Sequence, residues 1–210
     1  MRRVWIAVLA SALPVSLAAP AGAITRGGTP DGDDHPYVGL MVAEVDGAPA
    51  WRCSGSLISP TVFVTAGHCT EGATGAQLWF ETDVENAENR AGYPFDGEAS
   101  GTPYTYDLYE PDAFYLYDLG VVVLDTAVQM PRYAQLPEVG QLDTLQPGRK
   151  RATVTAVGYG LQAVKPELRQ ELIRYQADLM VVDTTGVVGL RQVFKQFEGS
   201  GSFTVSGHAK

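Results

Sequence analysis

The residues best placed to do chemistry are His68 and Cys69, side by side, with a second cysteine, Cys53, sixteen positions upstream. Histidine ordinarily titrates near neutrality, which suits it to taking and returning a proton. A general base works only when it is held within hydrogen-bond reach of its proton donor. A bridge between Cys53 and Cys69 would tie the end of one strand to the turn that bears His68, limiting the wandering of the imidazole. The same three residues also raise a zinc site, but such a site would want a fourth ligand at a workable spacing, and the sequence offers none. Two cysteines in all, behind an export signal, favour the disulfide.

A histidine base needs an acid to hold it. Asp107, Asp112, Asp118 and Asp125 lie close together in sequence. Asp118 stands immediately before the apolar run Leu119-Gly120-Val121-Val122-Val123-Leu124. A carboxylate there can be desolvated and aimed at an imidazole N–H. An aspartate before a strand is ordinarily a turn cap, so this position alone leaves the rivals open.

The chain of 210 residues opens with Arg2 and Arg3, an apolar run over residues 4–13 and small residues closing on Ala21-Gly22-Ala23. That is the pattern of an export signal cleaved near Ala23, and its apolar run is short for a bilayer span. Cleavage leaves 13 Lys and Arg against 24 acids, a net charge near −11. This balance argues against nucleic acid or an anionic membrane as partner, since both select basic surfaces. The mature chain is rich in Gly, Pro and short β-prone runs, with little helical periodicity. Strands are expected at 37–45, 51–59, 61–66, 76–81, 102–108 and 119–125, with turns at Asp46-Gly47, Ser59-Pro60 and Gly72. Six antiparallel strands suit a small closed barrel or a sandwich. Residues 82–101 read as a polar, acidic surface loop, and 136–148 as a Pro- and Gly-punctuated crossing linker. Further strands are expected at 151–159, 170–183 and 202–206, while 188–198 fits helix or strand.

The run Cys53-Ser54-Gly55-Ser56-Leu57-Ile58, continuing to Val64-Thr65-Ala66-Gly67-His68-Cys69, resembles the histidine segment of the chymotrypsin/trypsin family of serine endopeptidases. Its T-A-G-H-C core differs from the commoner T-A-A-H-C only at Gly67. Asp118 and the run after it resemble the family's D-I-A-L-L-x-L strand, whose leading aspartate orients the histidine. This selects Asp118 over its rivals. Weaker likenesses are His35-Pro36-Tyr37-Val38 to the family's first strand entry and residues 153–160 to the strand that opens its second barrel.

The resemblance implies an all-β protein of two six-stranded antiparallel barrels, the second incomplete in this chain. A signal peptide would occupy residues 1–23, a barrel with His68 and Asp118 residues 24–135, and a linker with a partial second barrel residues 136–210. It implies peptide-bond hydrolysis with His68 as base and Asp118 as its orienting partner, on a polypeptide substrate. No cofactor, no metal, no nucleic acid and no membrane is expected, and the full-length protein would be a secreted monomer. Two departures stand out. The family's G-D-S-G-G-P motif, which supplies nucleophile and oxyanion hole, does not occur among the 210 residues, and Ser200, Ser202 and Ser206 lack its flanking residues. His208 reads as a loop residue and replaces nothing. The start Ile24-Thr25-Arg26-Gly27-Gly28 is one residue longer than the family's I-V-G-G. The expectation is therefore a truncated endopeptidase without hydrolytic activity of its own, the alternative being an inactive secreted binding or regulatory module. Six of the ten tyrosines fall between Tyr93 and Tyr117, where they either pack on the barrel or wall a cleft. The acids Glu81, Asp83, Glu85, Glu88, Asp96 and Glu98 raise a calcium loop of the kind some members of that family carry, but they fit no EF-hand spacing and read rather as a solvated loop.

Overall fold

The structure is a computed structural model that describes residues 28–86, 92–113, 116–141, 153–163 and 169–180. The export signal, the Ile24 start, the 188–198 and 202–206 segments and His208 lie outside the described residues.

Six strands close a barrel. They are β2 (Val38–Val45), β3 (Ala48–Ser59), β4 (Val62–Thr65), β5 (Gly75–Trp79), β6 (Ala99–Thr105) and β7 (Gly120–Leu124), in the spatial order β2-β3-β4-β7-β6-β5 with every pair antiparallel. The first hairpin is set by Asp46 and Gly47, both with positive φ (52° and 77°), the two-residue turn whose twist matches the flanking strands. Val38, Met41, Leu57, Phe63, Leu78 and Val122 then meet inside the barrel, each essentially without exposure. Burying a side chain of that size contributes about 1.5–3 kcal/mol. Closure leaves no free edge in this half of the molecule.

Several strands are displaced from where the sequence suggests: β3 starts three residues early, at Ala48, and the strand expected from residue 170 starts at Tyr175. β6 starts three residues earlier than expected, at Ala99, because its small residues are where the strands crowd. A Cβ on Gly101 would lie 2.5 Å from the Val123 carbonyl oxygen. β5 stops at Trp79, because the amides of Phe80 and Glu81 donate to the Glu98 carboxylate instead of a neighbouring strand. The acidic stretch is thus more than a solvated loop. Val84 is fully buried, packed with Leu40, Val42, Trp79, Tyr159 and Leu172, and Tyr93 lies edge-on to Trp79.

Beyond the barrel, β8 (Thr153–Gly158) pairs with β9 (Tyr175–Met180), and β9 with the two-residue β1 (Thr29–Pro30), giving a three-stranded sheet among the described residues. Arg174 pins this sheet to the barrel. Its guanidinium is 1% exposed and donates to Asp31 Oδ2, to the carbonyls of Val38, Phe80 and Gly32, and to the hydroxyls of Tyr159 and Thr82. Asp31 is fully buried and also accepts from the backbone and ring nitrogens of His35. His35 is accordingly a loop residue held in a structural pair.

Removing one partner of a buried ion pair strands the other. Arg174→Leu is therefore expected to cost about 3–5 kcal/mol in urea unfolding. A loss under about 1 kcal/mol, the size of a surface pair, would show that the pin is not load-sharing.

Glu81 gives a pH dependence. With both carboxyls ionised, Glu81 Oε2 is buried without a hydrogen-bond partner, and a proton between Glu81 and Glu98 supplies one. Burial first, then the hydrogen bond and charge of Glu98, push the Glu81 pKa from 4.5 up to about 7. Folded protein then holds this proton more tightly than unfolded protein, so the stabilisation is present at low pH and lost as pH rises toward 7. Urea midpoints measured from pH 5 to 8 should fall more steeply in the wild type than in Glu81→Gln. Parallel profiles would contradict this.

Candidate active site

The pairing of β4 with β7 decides where the site lies. Thr65 at the end of β4 stands opposite Gly120 at the start of β7, so the segments beyond them leave the barrel at the same rim. One carries the single-turn helix α1 (Gly67–Thr70), with His68 and Cys69; the other carries Asp118. The two segments pack closely because residue 120 is glycine. A Cβ there would lie 2.4 Å from Thr70 Oγ1 and 2.7 Å from the Ala66 carbonyl oxygen. Thr70 Oγ1 is fixed in turn by the Gly67 carbonyl at 3.0 Å and by Thr105 Oγ1 at 2.8 Å.

The chain approaches Asp118 through Tyr117, whose φ of 55° is rare for a residue with a Cβ. The Leu119 amide donates to the Tyr117 carbonyl at 2.7 Å, closing a three-residue turn on Asp118. Such strained backbone persists only where its surroundings enforce it, and it collects at functional positions. Here it turns the carboxylate toward α1. Asp118 Oδ1 accepts from the His68 backbone N–H at 2.8 Å, and His68 Nδ1 lies 2.8 Å from Oδ2 and 3.0 Å from Oδ1. One carboxylate therefore holds both the backbone and the ring of His68. An ionised carboxylate only accepts, so Nδ1 carries the proton and Nε2 is left with a free lone pair. The side chains are 26% and 22% exposed, half-sunk at the rim.

Cys53 and Cys69 are joined, with Cα atoms 6.2 Å apart, in the ordinary range for a disulfide. Trp51 Nε1 donates to the Cys69 carbonyl at 2.9 Å and braces the same turn. Cys53, His68 and Cys69 place their ligand atoms within 4.8 Å of one another, but two of the three are spent on the disulfide and offer no thiolate. Of the rival acids, Asp125 is engaged by Ser100 Oγ at 2.7 Å, on the opposite end of β7. Ser200, Ser202 and Ser206 lie outside the described residues. The tyrosine-rich approach divides: Tyr104, Tyr106 and Tyr117 are exposed, Tyr93 and Tyr109 pack, and residue 115 is not described.

A carboxylate holding an imidazole by its Nδ1 is the arrangement of a proton acceptor, and the Nε2 of His68 lies 3.2 Å from Cys69 Sγ. The trypsin family's sequence model matches residues 24–192. The chain belongs to the trypsin family. A chymotrypsin of Phaedon cochleariae is 27% identical over 126 residues, 60% of this chain and 44% of its own. Among solved structures, the Vibrio cholerae VesB protease superposes with a TM-score of 0.55 at 19% identity, covering 84% of this chain and 49% of its own. The secreted serine protease VesC of Vibrio cholerae gives 0.54 at 18%, covering 75% and 31%. At that identity the superpositions speak to the fold, an all-β one with a closed six-stranded barrel and a partial second sheet. The chain spans less than half of that chymotrypsin's length.

The disulfide closes a sixteen-residue separation around this turn. Cys53→Ser with Cys69→Ser should cost about 3 kcal/mol in urea unfolding, by the loop-entropy argument. A change below about 1 kcal/mol would show that the barrel alone fixes the turn.

Proposed function

We propose that this protein is the base-bearing part of a secreted, trypsin-like serine endopeptidase. The observation that carries this reading is the two-point hold of Asp118 on His68, through backbone N–H and Nδ1. In the reaction, His68 Nε2 takes the proton of a serine hydroxyl as that oxygen attacks the scissile carbonyl, then delivers it to the leaving amine. Asp118 keeps the Nδ1–H tautomer and stabilises the imidazolium. The serine and the oxyanion-hole amides come from a G-D-S-G-G-P segment that is not among the 210 residues. The substrate is a polypeptide chain, and no cofactor takes part.

The barrel unit is residues 24–135, and residues 136–210 begin the second unit, with β8 and β9 as its first strands. Export with cleavage near Ala23 fits the basic, apolar and small-residue order of the first 23 residues. Among the described residues no helix is long and apolar enough to cross a membrane.

The test is amide hydrolysis. A polypeptide of these 210 residues should cleave no peptide amide, because losing nucleophile and oxyanion hole together removes nearly all catalysis. Protein carrying the serine segment should cleave, and Asp118→Asn in it should lower kcat by about ten-thousandfold, the loss that the wrong tautomer causes in this family's triad. Enzyme-like turnover by the 210 residues, or an Asp118→Asn rate within about tenfold of wild type, would defeat the reading.

A further inference from the structure

Every chain is made with thiols, and the turn around His68 exists in that form before its sulfurs are joined. The backbone beneath the three side chains is set by other contacts. Cys53 lies on β3, in register with Met41 of β2. The Cys69 amide donates to the Ala66 carbonyl at 3.1 Å, and its carbonyl accepts from Trp51 Nε1 at 2.9 Å. Asp118 holds His68 at backbone and ring. The ligand atoms of Cys53, His68 and Cys69 all lie within 4.8 Å of one another, and His68 Nε2 stands 3.2 Å from Cys69 Sγ. A tetrahedral zinc ion, with thiolates at about 2.3 Å and imidazole at about 2.0 Å, sets its ligand atoms about 3.5–4 Å apart. With Cα atoms 6.2 Å apart, the two sulfurs can part around such an ion by side-chain rotation.

We propose that, before Cys53 and Cys69 are joined, this turn is a zinc site of two thiolates and His68 Nε2, its fourth position taken by solvent. The lack of a fourth protein ligand counts against a closed structural site, but three ligands and solvent are what an exchangeable zinc site has. Two sulfurs and an imidazole favour zinc over magnesium or calcium. Asp118 supplies the outer partner: it takes the Nδ1–H, fixes the tautomer and aims Nε2, as carboxylates behind zinc-bound histidines do. Binding releases one proton from each thiol. Oxidation by a small disulfide then empties the site. One protein thiolate attacks that disulfide and releases a small thiolate; the other attacks the mixed disulfide and releases the second. The protein's two thiolates thus reduce the small disulfide, and the ion, left with one ligand, passes to water. Ion and proton use the same lone pair on Nε2, so His68 can serve as a base only after the bond has formed. That consequence rests on the reading of His68 as base, whereas the binding does not.

Cobalt(II) stands in for zinc and reports thiolate ligation through its charge-transfer absorption. The full 210-residue chain, reduced with a phosphine in the absence of air, should take up one cobalt ion with that absorption, and one zinc ion should displace it. The oxidised chain should show none. Asp118→Asn should weaken binding about tenfold or more, and His68→Ala, which keeps both thiols, at least as much. Two thiols on an unfolded chain also bind such ions, so the same titration in urea should show weaker binding. Equal affinity in urea, an affinity untouched by His68→Ala, or a reduced wild type whose barrel is already lost overturns the proposal. Should His68→Ala fail to fold, the 15N resonance of His68 Nε2 in the reduced wild type decides: it should shift on adding zinc, and an unmoved resonance overturns the site. Failure to bind leaves the base reading standing, since that reading falls only on the turnover of the Asp118→Asn enzyme.

Discussion

The register of β4 against β7 is the constraint from which the site follows. These strands are neighbours in the barrel but 55 residues apart in the chain at the Thr65↔Gly120 pair. Each has its exit at the same rim, one into α1 and the other from the turn on Asp118. A slip of one residue in this pairing would reverse which side chains of β7 face the core, exposing Val122 and burying Val123. Core packing therefore fixes the register, and the register fixes the distance between His68 and Asp118. The disulfide, the Thr70 hydroxyl and the Trp51 indole hold only the last few residues of an arrangement that the barrel has already set.

The second sheet depends on the barrel through a polar contact. Arg174 has the carbonyls of residues 32, 38 and 80 for acceptors, together with two hydroxyls and one carboxylate, so its buried charge is compensated from several segments at once. Such an arrangement is demanding. A desolvated guanidinium satisfied from many directions tolerates little displacement, which makes it a device for relative position more than for net stability. The backbone of residues 80–85 serves both halves. It is capped by Glu98 on one side, and on the other it accepts from Tyr159 at Glu81 and from Arg174 at Thr82, while Val84 donates to Leu172.

What was legible in the sequence were features whose cause is local. The Asp46-Gly47 turn needs two positive φ values, and few other dipeptides supply them. Short β-prone runs between turn residues marked the strands from β2 to β4 and β7 to within a few residues. The all-β class and the trypsin family were readable from the histidine segment and the strand after Asp118. What was not legible arises from distant partners. Arg174 falls within the strand expected at 170–183 but precedes β9, and its carboxylate partner is 143 residues away. The short strand β1 has no pattern of its own and exists only because β9 offers it an edge. Glu81 and Glu98 look like ordinary loop acids until the fold brings them together. At Gly67 the sequence shows a small-for-small change, and only the position of Tyr109 reveals what it makes room for.

The central claim is that His68 and Asp118 serve a serine which the 210 residues do not contain. The most direct measurement is to read the coding DNA through and beyond the codon for Lys210, in all three frames. A downstream G-D-S-G-G-P reading is the predicted result and supplies the nucleophile and oxyanion hole. A genuine stop with no such motif in any frame would contradict the account, leaving a base and its orienting acid with no hydroxyl to serve.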